Sequence, residues 1–299
     1  MASEPRVNLT DPEVLARLSR LDVRARGLVE GSFSGMHKSP HRGSSVEFAQ
    51  YREYVPGDDI NNLDWKVYAR TDRFYIKEFE ADTNLRCHLV IDTSGSMGFA
   101  SKHGSKLDVA KKCAATLAHL LVSQGDAVGL QCFDDKLHHD IPARGGPKHL
   151  GTVLTVLSSL RPHGETRIVK TLHDLAEKIR RRAMIVVFSD FFTDAEELLD
   201  CFQHMRHRKH DLAIFQILDD DELEFEFDRS IRFVDMETKF AIVSEPSVIR
   251  NDYLTAINSH MDRLRLGCRE FHVDYRQAKV SRPYGDVLSE FLLERQRRG

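Results

Sequence analysis

Hydrophobic positions divide the chain into stretches with different rhythms. From Arg86 onward, short apolar runs alternate with segments in which apolar residues recur every three or four positions. The runs Cys87–Ile91, Ala127–Phe133, Met184–Phe188 and Ala213–Leu218 are nearly continuous, as expected of strands buried on both faces. Between them the helical rhythm predicts helices over Lys106–Ser123, Lys148–Leu160, Ile168–Arg181 and Ala195–His207. A strand over Ile231–Val234, a helix over Val248–Leu266 and an amphipathic end helix over Asp286–Arg295 complete the series. This alternation predicts an α/β fold: a doubly wound, mostly parallel sheet flanked by helices. Ligands of such sheets bind at the carboxyl ends of the strands.

Before Arg86 the pattern differs. A short helix is predicted over Asp11–Leu21, where Asp11 can cap and Val14, Leu15, Leu18 and Leu21 repeat at helical spacing. Gly31 to Ser45 is rich in Gly, Ser and His with little periodicity, and Val46 to Lys77 carries Tyr, Phe, Val and Trp among turn signals such as Pro56-Gly57-Asp58. The expected organisation is an N-terminal helical segment (residues 1–30), an irregular β-rich subdomain (31–84) and the α/β domain (85–299). The acidic stretch Asp219–Asp228 alternates Leu223, Phe225 and Phe227 with glutamates, which predicts a half-buried strand.

With 299 residues, 41% of them hydrophobic, the chain is long enough to bury a large core. Its 43 Lys+Arg against 46 Asp+Glu argue against a nucleic-acid partner, which would need a basic face to displace counterions. Five widely spaced cysteines without a C-x-x-C suit a reducing compartment. The first residues lack an apolar signal-like run, and the most apolar windows, such as Ala183–Phe188, are too short to span a bilayer. A cytoplasmic location without a membrane span is therefore expected.

The first strand of the α/β region runs into Asp92-Thr-Ser94-Gly-Ser96-Met97. Polar side chains at alternating positions of an extended loop point the same way, so Asp92, Ser94 and Ser96 can converge above the sheet. One carboxylate and two hydroxyls are hard oxygen donors of the kind Mg²⁺ takes. Composition alone would produce a D-x-S-x-S match in about one such chain in ten, and a serine-rich turn capping the next helix explains it equally well. Two further features fall on the same edge of the sheet. Thr166 lies in Gly164-Glu165-Thr166 at a helix start, and Asp190 follows the strand Met184–Phe188. Each has a plain reading, an N-cap and a turn residue. Their joint order is harder to dismiss.

This order resembles the metal-ion-dependent adhesion site of von Willebrand factor type A domains, matched by Asp92, Ser94, Ser96, Thr166 and Asp190. The resemblance implies that Ser94, Ser96 and Thr166 offer hydroxyls to Mg²⁺ or Mn²⁺, with Asp92 and Asp190 acting largely through bound water. It also implies an open position for an acidic side chain of a partner protein, and no catalysis. A second resemblance covers the chain from about Gly31 onward. The run Glu47-Phe48, Arg52-Glu-Tyr54, Gly57-Asp58-Asp59, Asp64-Trp65, Ala69-Arg70 and Lys77-Glu-Phe79, with the later Asp221–Phe225 and Asp235-Met-Glu237-Thr238, is similar to the bacterial "domain of unknown function 58" family. Many members of that family look membrane-anchored through N-terminal helices, which are not found here. Members are commonly associated with MoxR-type AAA+ ATPases, which implies a chaperone-like or assembly role beside such a partner.

Asp58, Asp59 and Asp64 form the densest carboxylate group and are expected to pair with Arg52 and Arg70 as a structural charge cluster, with a second metal site or an acid/base pair as the alternative. Fifteen histidines invite a zinc reading, but no H-E-x-x-H occurs, and neighbours such as His138 and His139 diverge on a strand, so solvated or structural histidines are expected. No G-x-S-x-G, Walker A or G-x-G-x-x-G is present. The competing function is a phosphoesterase-like metal-dependent hydrolase using the same cation, with Asp58 or Asp59 as base. A two-metal hydrolase needs several carboxylates on the metal, whereas this set is rich in hydroxyls.

Overall fold

The computed structural model describes residues 9–21, 23, 46–55, 65–81, 85–227, 231–237 and 241–298. These form two compact units, one spanning residues 26–84 and the other combining the N-terminal residues to Ala25 with Leu85–Arg298. The first helix, α1 (Pro12–Leu18), thus groups with the α/β domain, packing on its helices. It starts where Asp11 accepts a hydrogen bond from the Glu13 amide and Pro12 supplies a preset φ.

The smaller unit holds β1 (Val46–Glu53), α2 (Trp65–Thr71) and β2 (Tyr75–Ala81). The two strands pair antiparallel, with an irregularity between Phe48 and Gln50. Aromatic contacts join its elements: Tyr68 stacks on Phe74 at 4.4 Å, and Tyr54 lies 6.2 Å from Phe74. The β-rich reading missed α2, whose Trp65, Val67 and Tyr68 favour strands by propensity. Of the expected charge cluster, Asp58, Asp59, Asp64 and the Arg52 side chain lie outside the described residues, while Arg70 is exposed in the last turn of α2.

The larger unit continues with β3 (Arg86–Asp92), a 3-10 turn (Gly95–Gly98), the two-residue strands β4 (Ala100–Ser101) and β5 (Gly104–Ser105), α3 (Lys106–Ser123), β6 (Ala127–Phe133), β7 (Leu137–Arg144), α4 (Pro147–Ser159) and α5 (Ile168–Lys178). After these come β8 (Met184–Ser189), α6 (Ala195–His207), β9 (Asp211–Leu218), α7 (Asp220–Glu224), β10 (Ile231–Val234), β11 (Ala241–Ser244), α8 (Pro246–Glu270), β12 (Asp274–Lys279) and α9 (Tyr284–Arg298). Six strands build the main sheet in the order β12-β9-β8-β3-β6-β7. All neighbours pair parallel except β7, which runs antiparallel to β6. Counted along the domain this is the doubly wound order, with its switch point between β3 and β8.

Side-chain alternation covers both faces. Met184, Val186 and Phe188 of β8 join Leu89 and Ile91 of β3 in the core under α3, α4 and α9. Ile185, Val187 and Val90 point to the opposite core, with Leu172, Leu198 and Phe202 from α5 and α6. Because both faces are covered, these strands carry the continuous apolar runs visible in the sequence. The stretch expected as a strand after Asp219 is instead the short helix α7. Asp219 and Glu222 form a reciprocal capping box, which satisfies the first amides of a helix and overrides the alternation of Leu223, Phe225 and Phe227.

Candidate metal centre

The switch point places the carboxyl ends of β3 and β8 side by side. Asp92 ends β3 and is fully buried; its Oδ1 accepts the Ser94 amide at 2.9 Å. Its Oδ2 accepts the Ser189 hydroxyl at 2.6 Å and the Thr166 hydroxyl at 3.3 Å. Ser94 and Ser96 share a hydrogen bond between hydroxyls at 3.1 Å. All five residues singled out in the sequence thus lie around the ends of these two strands, Asp190 following β8 and acting on Asp92 through its charge.

The plain readings of these residues fail in instructive ways. Ser94 precedes the 3-10 turn but makes no side-chain cap bond. Thr166 does not start a helix: α5 begins at Ile168, Arg167 stands at its N-cap, and the threonine hydroxyl turns to Asp92. Asp190 is partly a turn residue, since Oδ1 accepts the Phe192 amide at 3.3 Å, but Oδ2 meets the Lys106 ammonium at 2.8 Å.

Hydrogen bonds to the backbone brace the loops that carry the site. Gly95 donates to Gly164 O at 2.9 Å, His163 to Thr93 O at 2.8 Å, and Gln216 Nε2 to Asp190 O at 3.0 Å. At Gly95 a Cβ would stand 2.5 Å from the carbonyl oxygen of Met236, so only glycine lets the tip between β10 and β11 approach. That tip delivers Glu237, whose carboxylate accepts the Thr166 amide at 3.2 Å and hydrogen-bonds Ser96.

Four residues complete the site that local pattern did not single out as donors: Lys106, Ser189, Glu222 and Glu237. Lys106, with no exposed surface, bridges Asp190 and Glu222, the latter at 2.6 Å. One signal pointed to it: a lysine in the first turn of α3 opposes the helix dipole, which favours acids there.

Burial pushes the Asp92 carboxyl up to about 6, and the neighbouring Asp190 charge adds to the rise. For Lys106, burial acts to lower the pKa, but the charges of Asp190 and Glu222 outweigh it and hold the ammonium above its usual range. Burial likewise raises Glu237. Lysine therefore compensates Asp190 and Glu222, while Asp92 is met by hydroxyls and an amide. A buried carboxylate with three hydroxyls and a second carboxylate nearby fits a hard divalent cation.

The strand order, five parallel strands with one antiparallel edge strand, gives this domain a von Willebrand factor A-like α/β fold. More particularly, the chain belongs to the family described as "Protein of unknown function DUF58", whose profile matches residues 50–263. An uncharacterized protein of Mycobacterium tuberculosis is 27% identical over 263 residues, covering 85% of this chain and 81% of that protein. The uncharacterized protein YeaD of Bacillus subtilis is 28% identical over 118 residues, 40% of this chain and 27% of that one. Similar solved structures include the conserved hypothetical protein BatB from Bacteroides thetaiotaomicron, 11% identical with TM-score 0.48 over 72% of this chain and 100% of that one. The VWA domain of SpRpn10 is 14% identical with TM-score 0.41 over 70% of this chain and 95% of that one. Among the described residues, no helix is long and apolar enough to cross a membrane.

Proposed function

We propose that the protein is a non-enzymatic, divalent-metal-dependent adaptor. Asp92, Ser94, Ser96, Thr166 and Asp190 would hold Mg²⁺ or Mn²⁺, and an acidic side chain of a partner protein would complete the site. One observation carries the reading: Asp92 is buried among hydroxyl donors, while the nearby ammonium of Lys106 is already shared by Asp190 and Glu222. Desolvating a carboxylate in this way is costly unless a cation or proton compensates it. Bound there, the ion supplies a strong positive charge for an incoming carboxylate in a partly dry contact.

Glu237 adds a second support. Its carboxylate already rests on the Thr166 amide, so the rim of the site accommodates a carboxylate in this conformation. A partner would compete with Glu237 for that rim. The resemblance to proteins associated with MoxR-type AAA+ ATPases makes such an ATPase, or its client, the partner to try first, in a chaperone-like or assembly role.

The test is retention of a MoxR-type ATPase on immobilised full-length protein. Wild type should retain it in Mg²⁺ and release it in EDTA, and Thr166→Ala should behave in Mg²⁺ as wild type does in EDTA. Retention in EDTA would remove the metal from the mechanism. Metal-dependent cleavage of generic phosphoesters, lost in Asp58→Ala or Asp59→Ala, would move the assignment to a hydrolase.

A further inference from the structure

A separate group of donors stands at the end of the neighbouring strand. Asp134 follows Phe133, the last residue of β6, which pairs with Asp92 in the parallel register. His138 Nε2 faces Oδ1 of Asp134, and His163 Nδ1 faces Oδ2. One ligand atom from each of the three residues lies within 4.8 Å of the others. The two imidazoles meet edge to face, with ring centroids 4.9 Å apart.

A buried carboxylate gathers both imidazoles at one point. The Asp134 side chain has no exposed surface, and each of its two carboxylate oxygens faces one imidazole nitrogen, Oδ1 that of His138 and Oδ2 that of His163. The surrounding backbone is fixed around it: the Arg167 amide donates to Asp134 O at 2.9 Å, the Lys136 amide to Asp134 Oδ1 at 3.2 Å, and the His163 amide to Thr93 O. Gly164 has φ +75°, and a Cβ there would press to 3.3 Å from Oδ2. The histidines look outward, with the His138 side chain a quarter exposed and that of His163 63% exposed, so solvent can reach the two imidazoles.

We propose that Asp134, His138 and His163 form a second metal site, selective for a borderline divalent transition ion such as Zn²⁺ and independent of the oxygen-rich site at Asp92. Two imidazole nitrogens and one carboxylate oxygen match the donors of such ions, whereas Mg²⁺ takes hard oxygen ligands. Three protein ligands with a solvent-facing side leave a fourth position for water. The connection that carries His163 also carries Thr166, so the two sites are borne on one loop.

The experiment is calorimetric titration of Zn²⁺ into EDTA-stripped, dialysed full-length protein in excess Mg²⁺, followed by Co²⁺ substitution and visible spectroscopy. Wild type and Asp92→Ala should bind one Zn²⁺ with the same affinity, which separates this site from the adaptor reading. His163→Ala should lose at least about tenfold in affinity together with the Co²⁺ absorption bands. Because His163 is exposed, that variant is expected to keep its circular dichroism, and His163→Cys, which restores a soft ligand, should recover binding. Zn²⁺ binding absent from wild type, unchanged in both His138→Ala and His163→Ala, or lost in Asp92→Ala would overturn the proposal.

Discussion

The two ends of the main sheet handle buried charge differently. At the amino end, Asp211 opens β9 and Asp274 opens β12, and the Arg295 guanidinium of α9 binds both carboxylates, all three residues being almost wholly buried. At the carboxyl end, Lys106 bridges Asp190 and Glu222, but Asp92 and Glu237 lie in the same neighbourhood with hydroxyls and amides around them. The first arrangement is closed by a cation of the chain itself. The second is short of positive charge, and this is the end where a doubly wound sheet presents ligands.

Breaking the closed end should give the largest effect. Arg295→Ala leaves two carboxylates buried without their guanidinium and should cost about 3–5 kcal/mol of stability in denaturant melts. Mg²⁺ should not restore it. Lys106→Met should cost a similar amount, again about 3–5 kcal/mol, in metal-free buffer. There Mg²⁺ should recover part of the loss, because an ion at the carboxyl end can take over some of the compensation. Equal rescue of the two variants, or rescue of neither, would erase the distinction between the ends.

A third prediction is a pH dependence. Burial, and then the neighbouring Asp190 charge, disfavour the charged Asp92 carboxylate and push its pKa up from the ordinary 3.8 to about 6. Its contribution to metal-free stability is therefore fully present below pH 4 and lost as the pH rises through 6. The change amounts to about 3 kcal/mol at 1.36 kcal/mol per unit. Asp92→Asn should flatten that part of the stability profile between pH 4 and 6, and for wild type Mg²⁺ affinity should weaken below pH 6 as protons compete for the carboxylate. Parallel profiles for wild type and Asp92→Asn would contradict the assignment.

The smallest expected effect belongs to Glu237. Removing its carboxylate in Glu237→Ala should leave the melting temperature nearly unchanged and strengthen Mg²⁺-dependent partner retention by about tenfold, by clearing the rim of the site. Weakened retention would mean that Glu237 helps to hold the ion.

What the sequence disclosed follows from physical range. Met184–Phe188 and Ala127–Phe133 are legible because strands buried on both faces must be apolar throughout, and Lys106–Ser123 because one helical face lies on the sheet. The edge strands β7 and β12 were less legible or missed, since LHHDIPAR and DYRQAK carry the polar residues that keep sheet edges from pairing with other chains. In the site, Asp92, Ser94 and Ser96 are neighbours in one loop, and Thr166 and Asp190 were reached through their order relative to strands. Lys106 and Glu222 meet across 116 positions, which only the fold brings together. The histidines show the same limit. His138 and His139 do diverge as the strand pattern requires, His138 exposed and His139 half-buried, and the companion of His138 comes instead from His163 on another connection.

The most direct test of the central claim is titration of Mn²⁺ into metal-free protein, followed by electron paramagnetic resonance, for wild type and Asp92→Ala. Wild type should take up Mn²⁺ that excess Mg²⁺ displaces, and Asp92→Ala should take up none at that site while keeping the wild-type circular dichroism spectrum. Equal, Mg²⁺-displaceable Mn²⁺ binding by the two proteins would contradict a metal centre built on Asp92.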